Sequence, residues 1–246
     1  MQSFNISGKT LLGKILRLPL KMIPTTMVMP ILKGPLQGKK WIVGSGVHGC
    51  WLGAYENKKA SRFKDSIRPG ATVFDIGANV GYYTLLASQQ AGSQGKIFAF
   101  EPLQENLSFL KSHIELNGLT NVTVCEDALS DNNGIARFDR GPSRSEGKLT
   151  SNGQIEVTTR TLDDLIEKEK LPLPDCMKID VEGAELQVLL GAKALLSRAS
   201  PIIFLALDNP NDHRHCCELL KALDYKLEPL NGATVESANE IIACKK

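Results

Sequence analysis

Along most of the chain, continuous apolar runs typical of strands alternate with segments that have a helical pattern of apolar residues. Between the apolar runs, apolar residues recur at helical spacing near 82–91, 103–117, 184–198 and 212–223. The alternation predicts an α/β fold, a doubly wound and mostly parallel sheet with helices on both faces. The apolar runs that predict its strands lie at 71–76, 96–101, 121–126, 175–180 and 201–207.

The end of the chain departs from this alternation. The segments "YKLEPL" and "NEIIACKK" both have strand character, and no helical pattern separates them. Parallel neighbouring strands require a long crossover connection, usually a helix, whereas antiparallel strands do not. These two segments therefore predict an antiparallel pair of strands at the end of the chain. We therefore expect about seven strands in one domain over residues 51–246.

A polar interval interrupts the alternation at residues 129–160. It is rich in Gly, Ser, Asn and charge, with short strand-like pieces at either end. One interpretation is an insertion on the substrate side of a ligand site, and the other is a solvated loop. Under the first, the cationic side chains would suit an anionic acceptor; they are Arg137, Arg140, Arg144 and Lys148.

Residues 1–50 form a basic extension ahead of this domain. Seven of the 29 Lys and Arg residues precede the first acid, Glu56. Within 11–23, Lys14, Arg17 and Lys21 follow at helical spacing among leucines and isoleucines, as in helices that lie on anionic membranes. The alternative is a helix packed on the domain with solvated lysines, and Pro19 weakens both interpretations. Charges and prolines also make this stretch too broken to span a bilayer.

Composition narrows the class of protein without naming a partner. A chain of 246 residues with 42% hydrophobic and 23% charged residues is typical of a soluble globular protein, and its net charge is +2. Six cysteines in so long a chain predict reduced thiols in a cytoplasmic setting. The basic extension lacks interleaved aromatic residues, so nucleic acid is not expected as a partner. No metal is expected, because "HRHCCE" at 213–218 has no second Cys/His pair.

The most informative stretch is "VFDIGANVGYYT", residues 73–84, at the end of the first predicted strand. A dinucleotide fingerprint requires G-x-G-x-x-G, but Asn79 and Tyr82 occupy its second and third glycine positions. No G-K-S or G-K-T closes a phosphate loop here. The remaining pattern suits a nucleoside without phosphates: Gly77 and Gly81 allow close backbone approach, and Asp75 supplies an acceptor for a cationic group.

The next two strands also end in acids. Glu101-Pro102 follows the second strand, where a carboxylate can accept both ribose hydroxyls. Glu126-Asp127-Ala128 follows the third, where an acid can accept from an exocyclic adenine amine. Three acids at successive strand ends predict a nucleoside site more strongly than any one acid does.

The fourth strand ends in "MKIDVEGAEL", residues 177–186. Lys178 and Asp180 share one face of this strand, because side chains alternate with period two. Burying a lysine and a carboxylate in an apolar strand costs free energy, so we expect these two residues to have a specific role. Glu185, by contrast, is expected to cap the following helix.

Together these motifs resemble the FkbM family of S-adenosylmethionine-dependent methyltransferases, whose fold is the Rossmann-like class I methyltransferase fold. The resemblance covers about residues 51–207, including the "G-x-Y-E" of Tyr55 and Glu56. The chain departs from the family pattern at Asp208, where the fifth strand often ends in Glu. The motifs that carry it are FDIGANVGYYT, FAFEP followed by Asn106, EDALS, TLDDL and MKIDVEGAE.

The resemblance implies S-adenosyl-L-methionine as cofactor and O-methylation of a hydroxyl on a sugar, polyketide, lipid-linked or other small metabolite. Asp180 is the first candidate for the general base, with Lys178 tuning or orienting and Glu182 second; Asp208 or His213 would be third. The expected cofactor-binding residues are Asp75, Gly77, Asn79, Gly81, Glu101, Pro102, Asp127, Ala128, Tyr55 and Glu56.

Two other classes of protein stay open. A nicotinamide oxidoreductase would share the acid at Glu101, but Asn79 and Tyr82 disfavour it. A non-catalytic cofactor-binding module would keep the glycine turn but would have no use for Lys178, Asp180 and Glu182.

Overall fold

The structure is a computed structural model and describes residues 20, 22–139, 148–149, 153–207 and 210–245. Strands and helices are numbered here in chain order. The strands are β1 (Val28–Pro30), β2 (Lys40–Ile42), β3 (Thr72–Ile76), β4 (Lys96–Phe100), β5 (Val122–Cys125), β6 (Ala128–Leu129), β7 (Gly134–Asp139), β8 (Lys148–Leu149), β9 (Ile155–Arg160), β10 (Cys176–Ile179), β11 (Ile202–Ala206), β12 (Lys226–Pro229) and β13 (Glu240–Cys244).

The helices of the described residues cover all four predicted segments and include three that the sequence did not predict. They are α1 (His48–Leu52), α2 (Asn57–Asp65), α3 (Tyr82–Ala91), α4 (Gln104–Leu116), α5 (Leu162–Lys168), α6 (Glu185–Leu190), α7 (Lys193–Arg198) and α8 (Pro210–Ala222). A single helix over 184–198 was wrong. It divides into α6 and α7 at Gly191, where a Cβ would lie 2.0 Å from the carbonyl oxygen of Ser130.

A seven-stranded sheet forms the centre of the fold, in the order β12-β13-β11-β10-β3-β4-β5. Strands β11, β10, β3, β4 and β5 are parallel, whereas β13 runs antiparallel to both β11 and β12. This confirms the doubly wound sheet and its terminal antiparallel pair. The strand order reverses beside β3, so the carboxyl ends of β3 and β10 meet at the position where such sheets bind ligands.

The core lies on both faces of this sheet. Every residue of β3 and of β10 is buried, as a parallel sheet covered by helices requires. All six cysteines are free thiols, and Cys50, Cys176, Cys216 and Cys217 are buried.

The interval at 129–160 contains its own small sheet, in the order β6-β9-β7-β8. The strand-like pieces predicted at its two ends are therefore confirmed. Of the four cationic residues noted there, Arg137 is exposed and lies 3.8 Å from the Glu156 carboxylate. Arg140 and Arg144 lie outside the described residues.

The described part of the basic extension packs on the domain. Strands β1 and β2 form an antiparallel hairpin, and Ile31, Leu36, Trp41 and Val43 are buried in one core cluster with Val73 of β3. The predicted helix at 11–23 lies mostly outside the described residues, and the boundary at residue 50 stays a prediction. Within the part of the chain that the structure describes, no helix is long and apolar enough to cross a membrane.

His113 on α4 attaches this hairpin to the glycine turn. Its Nε2 accepts a hydrogen bond from the Ile42 backbone N–H at 3.0 Å, and Nδ1 lies 2.7 Å from the carbonyl oxygen of Val80. The ring also stacks on Trp41, with 4.0 Å between centroids. An acceptor Nε2 requires the neutral ring with its proton on Nδ1. Burial lowers the pKa of His113 to about 4, and its hydrogen bond to Val80 opposes this only in part.

Acid should therefore weaken the fold through His113. The unfolded chain binds a proton near the ordinary pKa of 6.5 and the folded chain near 4, so stability falls as pH drops through this interval. The loss should total about 3 kcal/mol. Denaturant unfolding between these two pH values would measure it. His113→Gln should flatten the pH dependence, whereas the exposed His215→Gln should not; equal slopes in all three proteins would contradict the prediction.

Candidate active site

A cavity of about 690 Å³ opens at the carboxyl ends of β3, β4 and β10. Its volume is within the usual range for a small-molecule site. The turn after β3 and the residues that follow β4, β5 and β10 form its walls, and residues 44–47 of the N-terminal part cover it together with Tyr55, Glu56 and Lys59. The sheet brings these segments together because its parallel strands all end at this edge.

The glycine turn forms one wall. Gly77, Asn79 and Gly81 all have positive φ, and the N–H groups of Gly77 and Ala78 both donate to the carbonyl oxygen of Phe100. Gly77 also lies against the end of β10: a Cβ there would be 2.0 Å from the carbonyl oxygen of Asp180. Only glycine fits at this position. The turn is thereby fixed to both neighbouring strands.

Glu101 stands at the end of β4 and holds three segments together. Its carboxylate accepts hydrogen bonds from the backbone N–H of Asn79 at 2.9 Å, the backbone N–H of Leu103 at 3.0 Å and Asn106 Nδ2 at 3.1 Å. Burial raises the pKa of Glu101, and these hydrogen bonds and Lys178 counteract part of that rise. A carboxylate fixed in this way can accept further hydrogen bonds from a ligand in the cavity.

The end of β5 supplies the third acid. Asp127 lines the cavity. Burial raises the pKa of its carboxyl, and the charge of Arg160 opposes part of that rise. Glu126, its neighbour, faces outward and pairs with Lys111 at 2.6 Å. The nucleoside-binding acid expected at this strand end is thus brought to the cavity at Asp127.

Lys178 lies at the junction of the turn and the end of β10. Its Nζ donates to the carbonyl oxygen of Gly77 at 2.9 Å, and it lies 3.6 Å from Asp75 Oδ1 and 3.5 Å from Asp180 Oδ2. Asp75 is fully buried and accepts a hydrogen bond from Thr84 Oγ1 at 2.6 Å. The lysine and the carboxylate of the fourth strand do contact each other, as their placement suggested.

A second lysine contacts the same carboxylate. Lys59 on α2, with 5% of its side chain exposed, lies 3.2 Å from Asp180 Oδ2, 2.6 Å from Glu240 Oε1 and 3.5 Å from Glu56 Oε2. Burial alone would raise the pKa of Asp180, but Lys178 and Lys59 lower it to about 2. Asp180 is therefore a carboxylate at neutral pH.

Tyr83 supports both lysines. Its hydroxyl donates to Glu56 Oε2 at 2.6 Å, and burial and Glu56 raise its pKa, so the phenol stays neutral. The ammonium groups of Lys59 and Lys178 lie 5.4 and 5.5 Å from the centroid of its ring. This is within the range of cation–π attraction.

The structure brings most of the predicted site residues to the cavity. Asp75 lies buried behind the lining, and Gly81 begins α3 against Leu110, so neither lines it. Those that line it are Tyr55, Glu56, Gly77, Asn79, Glu101, Pro102, Asp127, Ala128, Lys178, Asp180 and Glu182.

The secondary candidates divide. Glu182 has a positive φ of 56° and lines the cavity two residues beyond Asp180. Glu185 lies in the first turn of α6, where an acid complements the helix dipole, but it does not cap the helix: it accepts hydrogen bonds from the N–H groups of Val181 and Gly183, which precede α6. His213 lies on α8 outside the cavity lining, and Asp208 is outside the described residues.

The sequence prediction left out Lys59, Tyr83 and Glu240, which also line the cavity. Tyr83 lies inside the glycine-turn motif. Lys59 follows Glu56 by one helical turn, which is the spacing of an ordinary surface ion pair and gives no sign of a buried one. Residues 44–47 also cover the cavity, although the sequence prediction assigned them to the N-terminal extension, outside the domain.

The structure has a doubly wound sheet with a terminal antiparallel pair, and its cavity lies where the strand order reverses. These features are those of the class I methyltransferase fold. The family model of the methyltransferase FkbM domain matches residues 75–227. The chain belongs to the FkbM methyltransferase family, and the cofactor of these enzymes is S-adenosyl-L-methionine. The expectation from the sequence motifs is confirmed.

The curated relatives that match the chain are also methyltransferases. The chain is 30% identical over 133 residues to the hexuronic acid methyltransferase AglP of Haloferax volcanii, covering 53% of this chain and 54% of that protein. It is 28% identical over 153 residues to the 2-O-methyltransferase NoeI of Sinorhizobium fredii, covering 53% and 61%. The matches thus span little more than half of these relatives.

Solved structures agree in fold. A methyltransferase FkbM from Methylobacillus flagellatus superposes with a TM-score of 0.52 at 17% identity, covering 75% of this chain and 50% of that one. An S-adenosylmethionine-dependent O-methyltransferase from Thermotoga maritima gives 0.51 at 16%, covering 76% and 64%. At these identities the likeness shows the fold alone.

Proposed function

We propose that this protein transfers a methyl group from S-adenosyl-L-methionine to a hydroxyl of a sugar or a sugar-containing acceptor. The observation that carries the proposal is one cavity that joins a nucleoside-type wall, formed by the glycine turn, Glu101 and Asp127, to a carboxylate held by two lysines. The hexuronic acid and 2-O-methyltransferase relatives support a sugar hydroxyl as acceptor.

The residues of the cavity fit this cofactor. Glu101, Asp127, Asn79 and Gly77 all line the cavity. We expect Glu101 to accept hydrogen bonds from the ribose hydroxyls and Asp127 from the adenine amine, with the backbone of Gly77 and Asn79 close to the ligand. Asp75 is fully buried behind this lining, and its Oδ1 lies 3.6 Å from Lys178 Nζ, so it contributes to the site through that lysine. When bound, S-adenosylmethionine supplies a methyl group already activated by a positive sulfur.

Asp180 is the proposed general base. With the cofactor bound, methyl transfer from its sulfur to the acceptor oxygen would make the acceptor hydroxyl strongly acidic, and Asp180 would take that proton on a carboxylate oxygen. A carboxylate with a lowered pKa suffices for this step, because the hydroxyl proton is most acidic once methyl transfer is advanced. The larger part of the acceleration is expected from alignment, which can supply about 7–11 kcal/mol in favourable systems.

Calorimetric titration with S-adenosylmethionine and with NAD tests the cofactor half of the proposal. Saturable binding of the first alone is expected. Transfer of labelled methyl to a panel of neutral glycosides, amino-sugar glycosides and glycosides of uronic acids tests the acceptor half. Binding of NAD without binding of S-adenosylmethionine would overturn the proposal, and so would the absence of transfer to every sugar of the panel.

We further propose peripheral contact with anionic membranes through the N-terminal segment, in a cytoplasmic setting. The support is the run of seven cations without an acid in residues 1–55, together with exposed apolar side chains in the described part of that segment. These side chains are Met22, Met27, Val28, Leu32 and Val47.

The full chain should float with vesicles that contain anionic lipid, and salt should release it because the attraction is electrostatic. A chain lacking residues 1–19 loses Lys9, Lys14 and Arg17 but retains β1 and β2, and it should float less. Equal flotation of both chains, or binding to neutral vesicles alone, would contradict this contact.

A further inference from the structure

Lys59 is an ion-pair centre between three distant parts of the chain. It belongs to α2, whereas Asp180 follows β10 and Glu240 begins β13. The Lys59–Asp180 contact joins residues 121 positions apart. A buried ammonium requires compensating charge, and Glu240 at 2.6 Å and Glu56 at 3.5 Å already supply it. The contact with Asp180 is therefore not needed to compensate the buried charge of Lys59.

The two lysines contact one oxygen of that carboxylate. Lys59 lies 3.2 Å and Lys178 3.5 Å from Oδ2 of Asp180. Among the described residues, Oδ1 has no ion pair or hydrogen bond, and 24% of the side chain is exposed in the cavity wall. The carboxylate is thus fixed through one oxygen, and the other has accepting capacity for a ligand.

Lys178 alone would hold Asp180 less firmly. Its Nζ is shared with the carbonyl oxygen of Gly77 and with Asp75 Oδ1. It also lies on β10, the strand that Asp180 directly follows, so it contacts the carboxylate from the sheet side only. Lys59 contacts the carboxylate from α2, the helix that follows the segment covering the cavity. Contacts from two directions restrict rotation of a side chain more than a contact from one.

We infer that Lys59 is a positioning residue for methyl transfer: with Lys178 it holds Oδ2 of Asp180, so that Oδ1 receives the hydrogen bond of the acceptor hydroxyl. The inference rests on the proposed function and adds a residue outside the family motifs. Lys59 acts through Asp180 and does not itself take the proton. Its value lies in geometry, because a displacement of about 1 Å at a reacting group can cost about 10²-fold in rate.

A double-mutant cycle tests this role. Lys59→Met should lower kcat by about 10²-fold and leave the Kd for S-adenosylmethionine unchanged. In an Asp180→Asn background, Lys59→Met should lower kcat no further, because the group it positions no longer accepts a proton. Lys59→Arg keeps the charge and should recover most of the activity. Lys58→Met, the exposed neighbour on α2, is the matched control and should match the wild type.

A merely structural lysine gives a different result. Its loss would multiply with that of Asp180→Asn or would weaken binding of S-adenosylmethionine, and either result would overturn the inference. If Lys59→Met does not fold, Lys59→Gln replaces it in the cycle, because it removes the charge that holds Asp180 but keeps a polar side chain, and the same non-additive loss of kcat is expected. A wild-type chain that binds S-adenosylmethionine but methylates no sugar would overturn the proposed function itself, a result distinct from a multiplicative cycle.

Discussion

Asp180→Asn should lower kcat by about 10²–10⁴-fold while the Kd for S-adenosylmethionine stays near its wild-type value. The amide has the same shape as the carboxylate but cannot take the proton of the acceptor hydroxyl. The fold should persist, because each lysine keeps another partner: Lys59 keeps Glu240, and Lys178 keeps the carbonyl oxygen of Gly77.

Single-turnover kinetics at saturating cofactor, together with calorimetry, would separate the two quantities. Asp65→Asn, an exposed aspartate at the end of α2, is the control for the same chemical change. Loss of S-adenosylmethionine binding with an unchanged kcat at saturation would make Asp180 a cofactor residue. A kcat near the wild-type value would move the base to Glu182, the next carboxylate in the cavity wall.

The sheet was predictable because its strands are buried on both faces. Residues such as Val73, Phe74 and Ile76 are apolar on both faces of β3. A strand with one face in solvent would instead alternate apolar and polar residues. The terminal pair followed from two strand patterns without a helix between them. The division of α6 from α7 was not predictable, since the close approach of Gly191 to Ser130 depends on the position of the interval at 129–160.

The nucleoside-type wall of the cavity was predictable for a topological reason. Parallel strands end at one edge, so residues that follow each strand, such as Gly77, Glu101 and Asp127, meet there without further information. Lys59 and Glu240 follow no such rule. One lies on a helix before the sheet and the other on its antiparallel edge, and neither has a local pattern that marks a buried partner.

The N-terminal extension shows a second limit of sequence patterns. Its lack of acids suggested a segment apart from the domain, yet Trp41 is buried in the core beside His113. Residues 44–47 then contribute to the cavity wall. Charge distribution reports what faces solvent, whereas the packing of a short hairpin depends on a few apolar side chains whose partners are distant in sequence.

Gly77→Ala should disrupt the site and the fold together. The added Cβ would lie 2.0 Å from the carbonyl oxygen and 2.9 Å from the carbonyl carbon of Asp180, and the residue has a φ of +73°. Both β3 and β10 are central strands with a neighbour on each side, so the clash cannot be relieved by moving an edge. We expect a loss of about 4 kcal/mol or more in the free energy of unfolding, in the range that a severe core defect produces.

Gly70→Ala separates the clash from the backbone conformation. Gly70 has a φ of +81°, but nothing lies within 4 Å of its Cβ position, so only the left-handed conformation is penalised, by about 1–2 kcal/mol. Denaturant unfolding and S-adenosylmethionine titration of both variants would make the comparison. Because any shift that relieves the clash must move Asp180 or the turn away from Lys178, Gly77→Ala should lose cofactor binding even where it still folds. Equal stability of the two variants with intact binding would show that the turn does not require this contact.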